Sequence, residues 1–247
     1  MHLTIIGCGD AFGTGGRLQS AYLLDLGDRK VLLDCGATTQ IGFNRIGFNA
    51  NEIDTVLISH LHGDHFAGLI WMLLSALYVT KRKAPLKIVG PPTIAARFTA
   101  MAEALFPDVT KTPRAFDLEF IEISAGTPYV DADLHVTAFE VRHPSGAPSH
   151  ALRIKAAQRT LAFSGDTEWV DTLVPCAANA DLLLIECCAV DRPMKFHLNW
   201  RTIEQHLPQL SAKRIMLTHM NADMLAFAPS LKSDRILIAE DGLKVSL

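Results

Sequence analysis

The sequence has few cysteines, and their arrangement excludes two kinds of protein. There are five, an odd number, and no two of them have the C-x-x-C spacing. Disulfide frameworks need paired cysteines, and cysteine-rich zinc sites need closely spaced ones. We therefore expect buried, reduced thiols that pack as small apolar groups.

Long apolar runs and targeting signals are also missing. The longest apolar segment, residues 66–79, has 14 residues, whereas a membrane-spanning helix needs about 20. The chain enters a strand-like run at residues 3–6, without the basic and apolar regions of a secretory signal. We therefore predict a cytoplasmic protein with no membrane partner.

No charge of one sign dominates the composition. The 23 Lys and Arg residues against 26 Asp and Glu residues give a net charge of −3. Strong non-specific binding to nucleic acid needs a dense positive face, so nucleic acid is not the expected partner. The 49% hydrophobic content excludes a disordered chain, because so much apolar surface favours a packed core.

Strand-like and helical segments alternate along the chain, and no linker or repeat divides it. Apolar segments without polar alternation are typical of strands buried on both faces; they are residues 55–59, 180–185 and 214–218. Helices are predicted at residues 67–81 and 169–178, among others. We predict a single domain over residues 1–247, with two sheets and helices outside them in four layers.

The strongest chemical signal is the segment His60-Leu61-His62-Gly63-Asp64-His65, directly after a predicted buried strand. Imidazole and carboxylate groups are ligands that suit zinc, manganese or iron. In an extended chain His60 and His62 project the same way. Gly63 allows a turn that brings Asp64 and His65 to a different point, so one loop can serve two metal ions. The alternative is a histidine-rich surface loop.

Three more candidate ligands each follow a predicted strand: His143, Asp166 and His219. A single histidine is more often structural or exposed, so each is weak evidence alone. Their common position is stronger evidence, because the fold would collect such loops at one edge of a sheet.

These motifs, in this order, resemble the metallo-β-lactamase superfamily, and the resemblance extends from Gly7 to the end of the chain. It implies an α/β fold, an αββα sandwich of two mixed sheets with helices on the outer faces and the site at one end. It also implies two divalent metal ions per chain, with zinc expected and manganese or iron as alternatives. The implied ligands are His60, His62 and His143 for the first ion, Asp64, His65 and His219 for the second, and Asp166 as the bridge.

Within that superfamily the chain is most similar to the ribonuclease Z-like phosphodiesterase branch. The glycine-rich residues 7–13 resemble the first motif of the branch, and residues 180–186 resemble the strand whose glutamate pairs with a catalytic histidine. By this resemblance Glu186 is that glutamate and His197 is that histidine. The surrounding Phe-His-Leu-Asn differs from the Gly-His-Ser-Thr of the branch. We predict Asp64, Glu186 and His197 as catalytic residues.

The resemblance implies a hydrolase in which a hydroxide bridging the metal ions attacks phosphorus. No Gly/Lys-rich excursion like the tRNA-gripping arm of ribonuclease Z occurs between Pro92 and His143. We therefore favour a small anionic phosphodiester, such as a cyclic nucleotide. A thioester or lactone hydrolase and a tRNA 3′-end endonuclease are the alternatives. His197 discriminates, because an alkoxide leaving group needs a proton and a thiolate does not.

Two further points concern partners and substrate contacts. Residues 71–74 fit either a core or a dimer face, so a homodimer is one of the assemblies left open. Arg17, Ser20 and His150 lie near the implied site along the chain and are candidates for contact with the substrate.

Overall fold

The computed structural model describes residues 1–247, which form two seven-stranded sheets with helices packed on them. The first half contains β1 (His2–Gly7), β2 (Ala21–Asp25), β3 (Lys30–Leu33), α1 (Thr39–Ile46), β4 (Thr55–Leu57), α2 (Gly63–Phe66), α3 (Gly68–Leu74), β5 (Leu86–Gly90), α4 (Ile94–Leu105) and β6 (Leu118–Glu122). The second half contains β7 (Tyr129–Asp131), β8 (Leu134–Val141), β9 (Ser149–Ala156), β10 (Arg159–Phe163), α5 (Leu173–Ala177), β11 (Leu182–Glu186), α6 (Trp200–His206), β12 (Ile215–Thr218), α7 (Ala222–Phe227), β13 (Ile236–Ile238) and β14 (Lys244–Ser246).

Both sheets are built on the same plan. The first has the order β14-β1-β2-β3-β4-β5-β6 and the second β13-β12-β11-β10-β9-β8-β7. In the first sheet the pairs from β14 to β3 are antiparallel and those from β3 to β6 are parallel. In the second, the pairs from β7 to β10 are antiparallel and those from β10 to β13 are parallel. Both sheets are therefore mixed, as predicted.

An apolar core joins the sheets face to face. Leu33 and Leu57 of the first sheet pack in one cluster with Leu161 and Leu184 of the second. Helices α1, α3 and α4 cover the outer face of the first sheet, and α5, α6 and α7 cover that of the second. This order of layers confirms the predicted four-layer sandwich. The central strands are apolar on both sides because both of their faces are covered.

Several predicted elements have different bounds in the structure. The predicted helix at residues 67–81 is divided into α3 and a π-helical turn at Ser75–Val79, and the short helix α2 precedes it. In place of the predicted helix at residues 169–178, the structure has only the shorter α5. Proline is tolerated in the first turn of a helix but not in its interior, so Pro175 prevents the helix from beginning much earlier. The three-residue strands β7 and β14 and the helix α7 were not predicted. Such short segments are defined by their neighbours in the fold more than by their own pattern.

All five cysteines are free and buried, which confirms the expectation of reduced thiols packed in the interior. The last strand, β14, pairs with the first, β1, so both ends of the chain lie in the first sheet. None of the helices combines the length and the apolar character that crossing a membrane requires.

Candidate metal centre

All seven predicted ligands lie at one end of the sandwich, where the strands that precede them end. The loop after β4 carries the H-x-H-x-D-H motif, and the loops after β8, β10 and β12 carry one ligand each. Five overlapping groups of potential ligand atoms occur here, and two of them together contain all seven predicted ligands. The sandwich therefore collects side chains that are up to 159 residues apart in the chain, from His60 to His219.

Three imidazoles form the first group. Ligand atoms of His60, His62 and His143 all lie within 4.8 Å of one another. Nε2 of His143 is 2.9 Å from Nδ1 of His62. Nε2 of His60 is buried and has no hydrogen-bond partner. This group matches the predicted first metal site.

Two carboxylates and two imidazoles form the second group: Asp64, His65, Asp166 and His219. Nε2 of His65 lies 3.3 Å from Asp64 Oδ2 and 3.3 Å from Asp166 Oδ1. Nε2 of His219 lies 3.3 Å from Oδ2 of each of the same two carboxylates. This group matches the predicted second site.

Asp166 lies between the two groups. Its Oδ2 is 3.9 Å from Nε2 of His60 and 4.0 Å from Nε2 of His143. The same carboxylate contacts His65 through Oδ1 and His219 through Oδ2. The carboxylate is almost fully buried. Its position suits the predicted bridge, and the ligand roles of all seven residues stay predictions.

Hydrogen bonds on the outer side determine which ring nitrogens face the centre. Asp34 is fully buried after β3 and accepts from Nδ1 of His65 at 2.7 Å and from the Ser59 hydroxyl at 2.8 Å. Because that hydroxyl proton is used, Ser59 Oγ must accept from Nδ1 of His60, 3.0 Å away. Nε2 of both imidazoles is then left with a lone pair directed into the centre.

His143 is oriented in the same way, since its Nδ1 donates to the carbonyl of Phe196 at 2.9 Å. Asp64 and Asp166 add carboxylate oxygens to the same centre. Lone pairs and carboxylates thus converge without enough proton donors between them. Such a donor set fits divalent metal ions of the zinc type.

Asp34 and Ser59 were missed by the sequence analysis. Asp34 ends the apolar run of β3, and its left-handed φ of 54° is rare for a residue other than glycine, Asn or Asp. Its position after an apolar strand is the same signal that identified Asp166. Unlike the predicted ligands, it acts by holding an imidazole.

Glu186 and His197 form a pair beside the two groups. Nδ1 of His197 is 3.2 Å from Oε2 of Glu186, and Oε1 of Glu186 accepts from the backbone N–H of Thr167 at 2.5 Å. Burial alone lowers the pKa of His197, but the Glu186 carboxylate raises it above its ordinary value. The structure therefore brings the predicted pair together, and its catalytic role stays a prediction.

A pocket of about 470 Å³ opens onto the centre. This volume lies in the ~300–1,000 Å³ range of small-molecule sites. The pocket is lined by the loop after β1, by the segment that contains His197 and by the start of α7, as well as by His62, Asp64, His143, Asp166 and His219.

Three predicted substrate contacts do not line this pocket: Arg17, Ser20 and His150. Arg17 instead donates to the carbonyl of Ala239 at 2.5 Å and to Sγ of Cys8 at 3.2 Å. Ser20 and His150 are buried. All three side chains pack or bond within the protein and lie outside the pocket. Their closeness in sequence to the predicted site was therefore not a reliable indication of substrate contact.

Comparison with known proteins gives one family match over nearly the whole chain. Residues 1–242 match the family model described as Anti-Pycsar protein Apyc1. Ribonuclease Z from Mycobacterium sp. (strain KMS) is 29% identical over 195 residues, which cover 74% of this chain and 67% of the relative.

Solved structures with the same architecture include two near full-length matches. Human short-form tRNase Z has a TM-score of 0.80 and 26% identity and covers 100% of this chain and 99% of its own. The metallo-β-lactamase fold protein YhfI from Bacillus subtilis has a TM-score of 0.78 and 24% identity, with 99% of each chain covered. The metallo-β-lactamase fold and the expected kinship to ribonuclease Z are thereby confirmed.

Proposed function

Since the chain belongs to the family described as Anti-Pycsar protein Apyc1 and is a metal-dependent hydrolase, we propose that it hydrolyses a small phosphodiester, with a cyclic nucleotide as the substrate class. The observation that carries this proposal is the Glu186–His197 pair. The pair lies beside the two ligand groups. Its two side chains are within hydrogen-bond distance of each other, and His197 lines the pocket.

The proposed metal ligands are those predicted from the sequence. One divalent ion would be held by His60, His62 and His143, the other by Asp64, His65 and His219, with Asp166 between them. Two such ions, when bound, lower the pKa of a water molecule and withdraw charge from the phosphoryl oxygens. Zinc is proposed as the metal, because imidazole and carboxylate are its usual ligands.

His197 would supply the proton that the leaving oxygen needs. Its Nδ1 bonds Glu186, so Nε2 is the atom left for the pocket. Glu186 is almost fully buried and is itself fixed by the backbone N–H of Thr167. The carboxylate thus orients the imidazole and favours its protonated form, and a protonated imidazole is a suitable general acid for an alkoxide.

The size of the site supports a small substrate. The pocket of about 470 Å³ suits a single nucleotide. Between Pro92 and His143 the chain forms α4, β6, β7 and β8, which belong to the sandwich, with no protruding arm.

The second candidate function is tRNA 3′-end processing. It is favoured by the relatives named ribonuclease Z and by the likeness to human short-form tRNase Z. For this reason nucleic acid stays among the substrates to be tested, although the sequence analysis did not favour it.

A substrate screen tests the proposal. Zinc-loaded protein would be offered 3′,5′- and 2′,3′-cyclic nucleotides, bis-p-nitrophenyl phosphate, a precursor tRNA, a thioester and a lactone. We expect turnover of cyclic nucleotides to exceed that of the other natural substrates. Efficient cleavage of the precursor tRNA would contradict the proposal and favour tRNA processing. Cleavage of the thioester alone would contradict it and favour a thioester hydrolase.

The role of His197 is tested by the dependence on the leaving group. His197→Ala should keep both metals and lose ~10²–10⁴-fold in rate on a substrate with an alkoxide leaving group. It should lose far less on bis-p-nitrophenyl phosphate, because nitrophenolate leaves without a proton. Glu186→Gln should give the same pattern in milder form. Equal losses on both substrates would contradict the acid role.

Metal analysis of the same variant is the control, because His197 lies within ligand distance of Cys188 and His219. Unchanged zinc content is expected for a proton donor. Loss of one zinc per chain would make His197 a ligand instead.

A further inference from the structure

One aromatic side chain at the pocket has no partner within the protein. Phe12 is 93% exposed, the highest value among the exposed large apolar residues, which also include Val79 at 76%. Unlike Val79, Phe12 lines the pocket that opens onto the metal centre. An aromatic ring held in water beside a binding site is a surface for a ligand to cover.

The turn that carries Phe12 is fixed by a buried carboxylate. Asp10 is 5% exposed and its Oδ1 accepts from the backbone N–H groups of Phe12 at 3.2 Å and Thr14 at 2.9 Å. Its Oδ2 accepts from the Thr14 hydroxyl at 2.6 Å. Gly13 and Gly15 have φ of 67° and 70°, which most other residues would resist. The exposed ring is therefore built into the loop and is not a frayed end.

Two other lining residues complement an aromatic ligand. Arg192 has no carboxylate within ion-pair distance, and its Nη2 lies 3.9 Å from Sδ of Met194. A guanidinium stacks on π faces, and a thioether makes favourable contacts with aromatic rings. The pocket thus has anionic and imidazole groups that suit a metal-held phosphodiester, and a separate set that suits a flat aromatic group.

We propose that Phe12 forms the base subsite of this pocket, where its ring stacks on the heterocycle of a nucleotide. The inference rests on the proposed phosphodiesterase function and narrows its substrate class. It makes Phe12 a specificity residue that touches the substrate and takes no part in bond breaking.

The kinetic test compares a substrate with a base and one without. Phe12→Ala should raise KM for a cyclic nucleotide by ~10-fold to ~100-fold, the range of base–aromatic stacking. The same variant should leave hydrolysis of methyl p-nitrophenyl phosphate within about twofold of the unmodified protein. Phe12→Trp should retain the KM for the nucleotide, whereas Phe12→Leu should behave like Phe12→Ala. If leucine serves as well as phenylalanine, the contact is merely apolar and the stacking proposal fails.

Equilibrium binding gives a readout that is independent of turnover. By calorimetry, Phe12→Ala should weaken binding of adenosine 5′-monophosphate to the zinc-loaded protein and leave binding of ribose 5-phosphate unchanged. Val130→Ala is the matched control, because Val130 is 53% exposed and lies outside the pocket. Equal weakening of both ligands would overturn the subsite.

The two proposals fail in different ways. If the unmodified protein hydrolyses no phosphodiester, the proposed function fails whatever Phe12 does. If it hydrolyses cyclic nucleotides and Phe12→Ala leaves KM and nucleotide affinity unchanged, only the base subsite is overturned.

Discussion

The two ends of the sandwich both contain charged side chains contributed by both sheets, but only one end satisfies them internally. At the far end Asp131 of β7 pairs with Arg29 at 2.6 Å and with Lys87 of β5 at 2.8 Å. Arg29 precedes β3, whereas Asp34 follows it at the metal centre, so the clusters lie at opposite ends of the same strand. At the metal centre the buried lone pairs of His60 and His65 have no hydrogen-bond partner.

The difference separates a structural cluster from a binding site. In the far cluster, which consists of Asp131, Arg29 and Lys87, one carboxylate pairs with two cationic side chains, so no bound ion is needed to balance its charge. In the metal centre the outer hydrogen bonds hold lone pairs toward one another, an arrangement that is unfavourable until a cation fills it. Buried lone pairs without a hydrogen-bond partner are therefore a better indication of a metal site than the number of charged residues.

The largest expected effect is that of metal on stability, because a ligand that binds only the folded state stabilises it. At a zinc concentration ~1,000 times the Kd, the free energy of unfolding should rise by about 4 kcal/mol for each ion bound, relative to chelated protein. Denaturant titrations with and without zinc measure this. Asp131→Asn is the control, since it alters the far cluster and should keep the full increment.

Asp166→Ala should have the next largest effect. Asp166 faces both ligand groups, so its loss should reduce bound zinc from two ions to one or none per chain. The fall in kcat/KM should be at least ~10²–10³-fold, the scale of losing a preorganised electrostatic contact. Elemental analysis and kinetics on one preparation check both. Retained turnover with two ions bound would contradict the bridging assignment.

Asp34→Asn should have a smaller effect on the same centre. Asp34 orients His65 and, through Ser59, His60 without being among the proposed ligands. Loss of such an outer hydrogen bond costs ~10–100-fold in metal affinity. Competition with a zinc chelator measures this loss. An affinity equal to that of the unmodified protein would mean that the imidazoles are held by packing alone.

The sequence pattern was sufficient for the layers of the fold and for naming the seven candidate ligands, whereas their division into two groups was implied by the resemblance to the metallo-β-lactamase superfamily. The H-x-H-x-D-H loop is local, so its chemistry is visible without a fold. His143, Asp166 and His219 could be included because each follows a strand. The loops that follow neighbouring strands lie close together at one edge of a sheet. The strand pattern also predicted the four layers, since strands covered on both faces lack polar alternation.

Features that depend on contacts between distant segments were not predictable. Asp34 belongs to no local motif, and the glycine-rich motif that contains Phe12 does not indicate that its ring is exposed. Their roles follow from a hydrogen bond to His65 and from exposure at the pocket. Arg17 was a plausible phosphate contact until the structure showed its bond to Ala239. The pairing of Asp131 with Arg29 likewise joins residues 102 positions apart.

The smallest expected effect belongs to the far cluster and is a dependence of stability on pH. Hydrogen bonding by Lys87, with Arg29, lowers the pKa of Asp131 from 3.8 to about 2. A carboxyl group with a depressed pKa in the folded state stabilises the fold above its unfolded pKa and loses that effect as pH falls through its folded pKa. The contribution is therefore complete at neutral pH and declines from about pH 4 toward pH 2.

Because Asp131 is partly exposed, solvent screens the ion pairs and we expect only about 1 kcal/mol of unfolding free energy. Denaturant titrations of chelated protein and of Asp131→Asn, from pH 7 to pH 3, measure this difference. Asp133→Asn is the control, since it removes an exposed carboxylate from the same hairpin. The gap between the unmodified protein and Asp131→Asn should narrow as the pH falls. A gap that stays constant would mean that the aspartate acts by packing and not by charge, and the contrast between the two ends would then not be electrostatic.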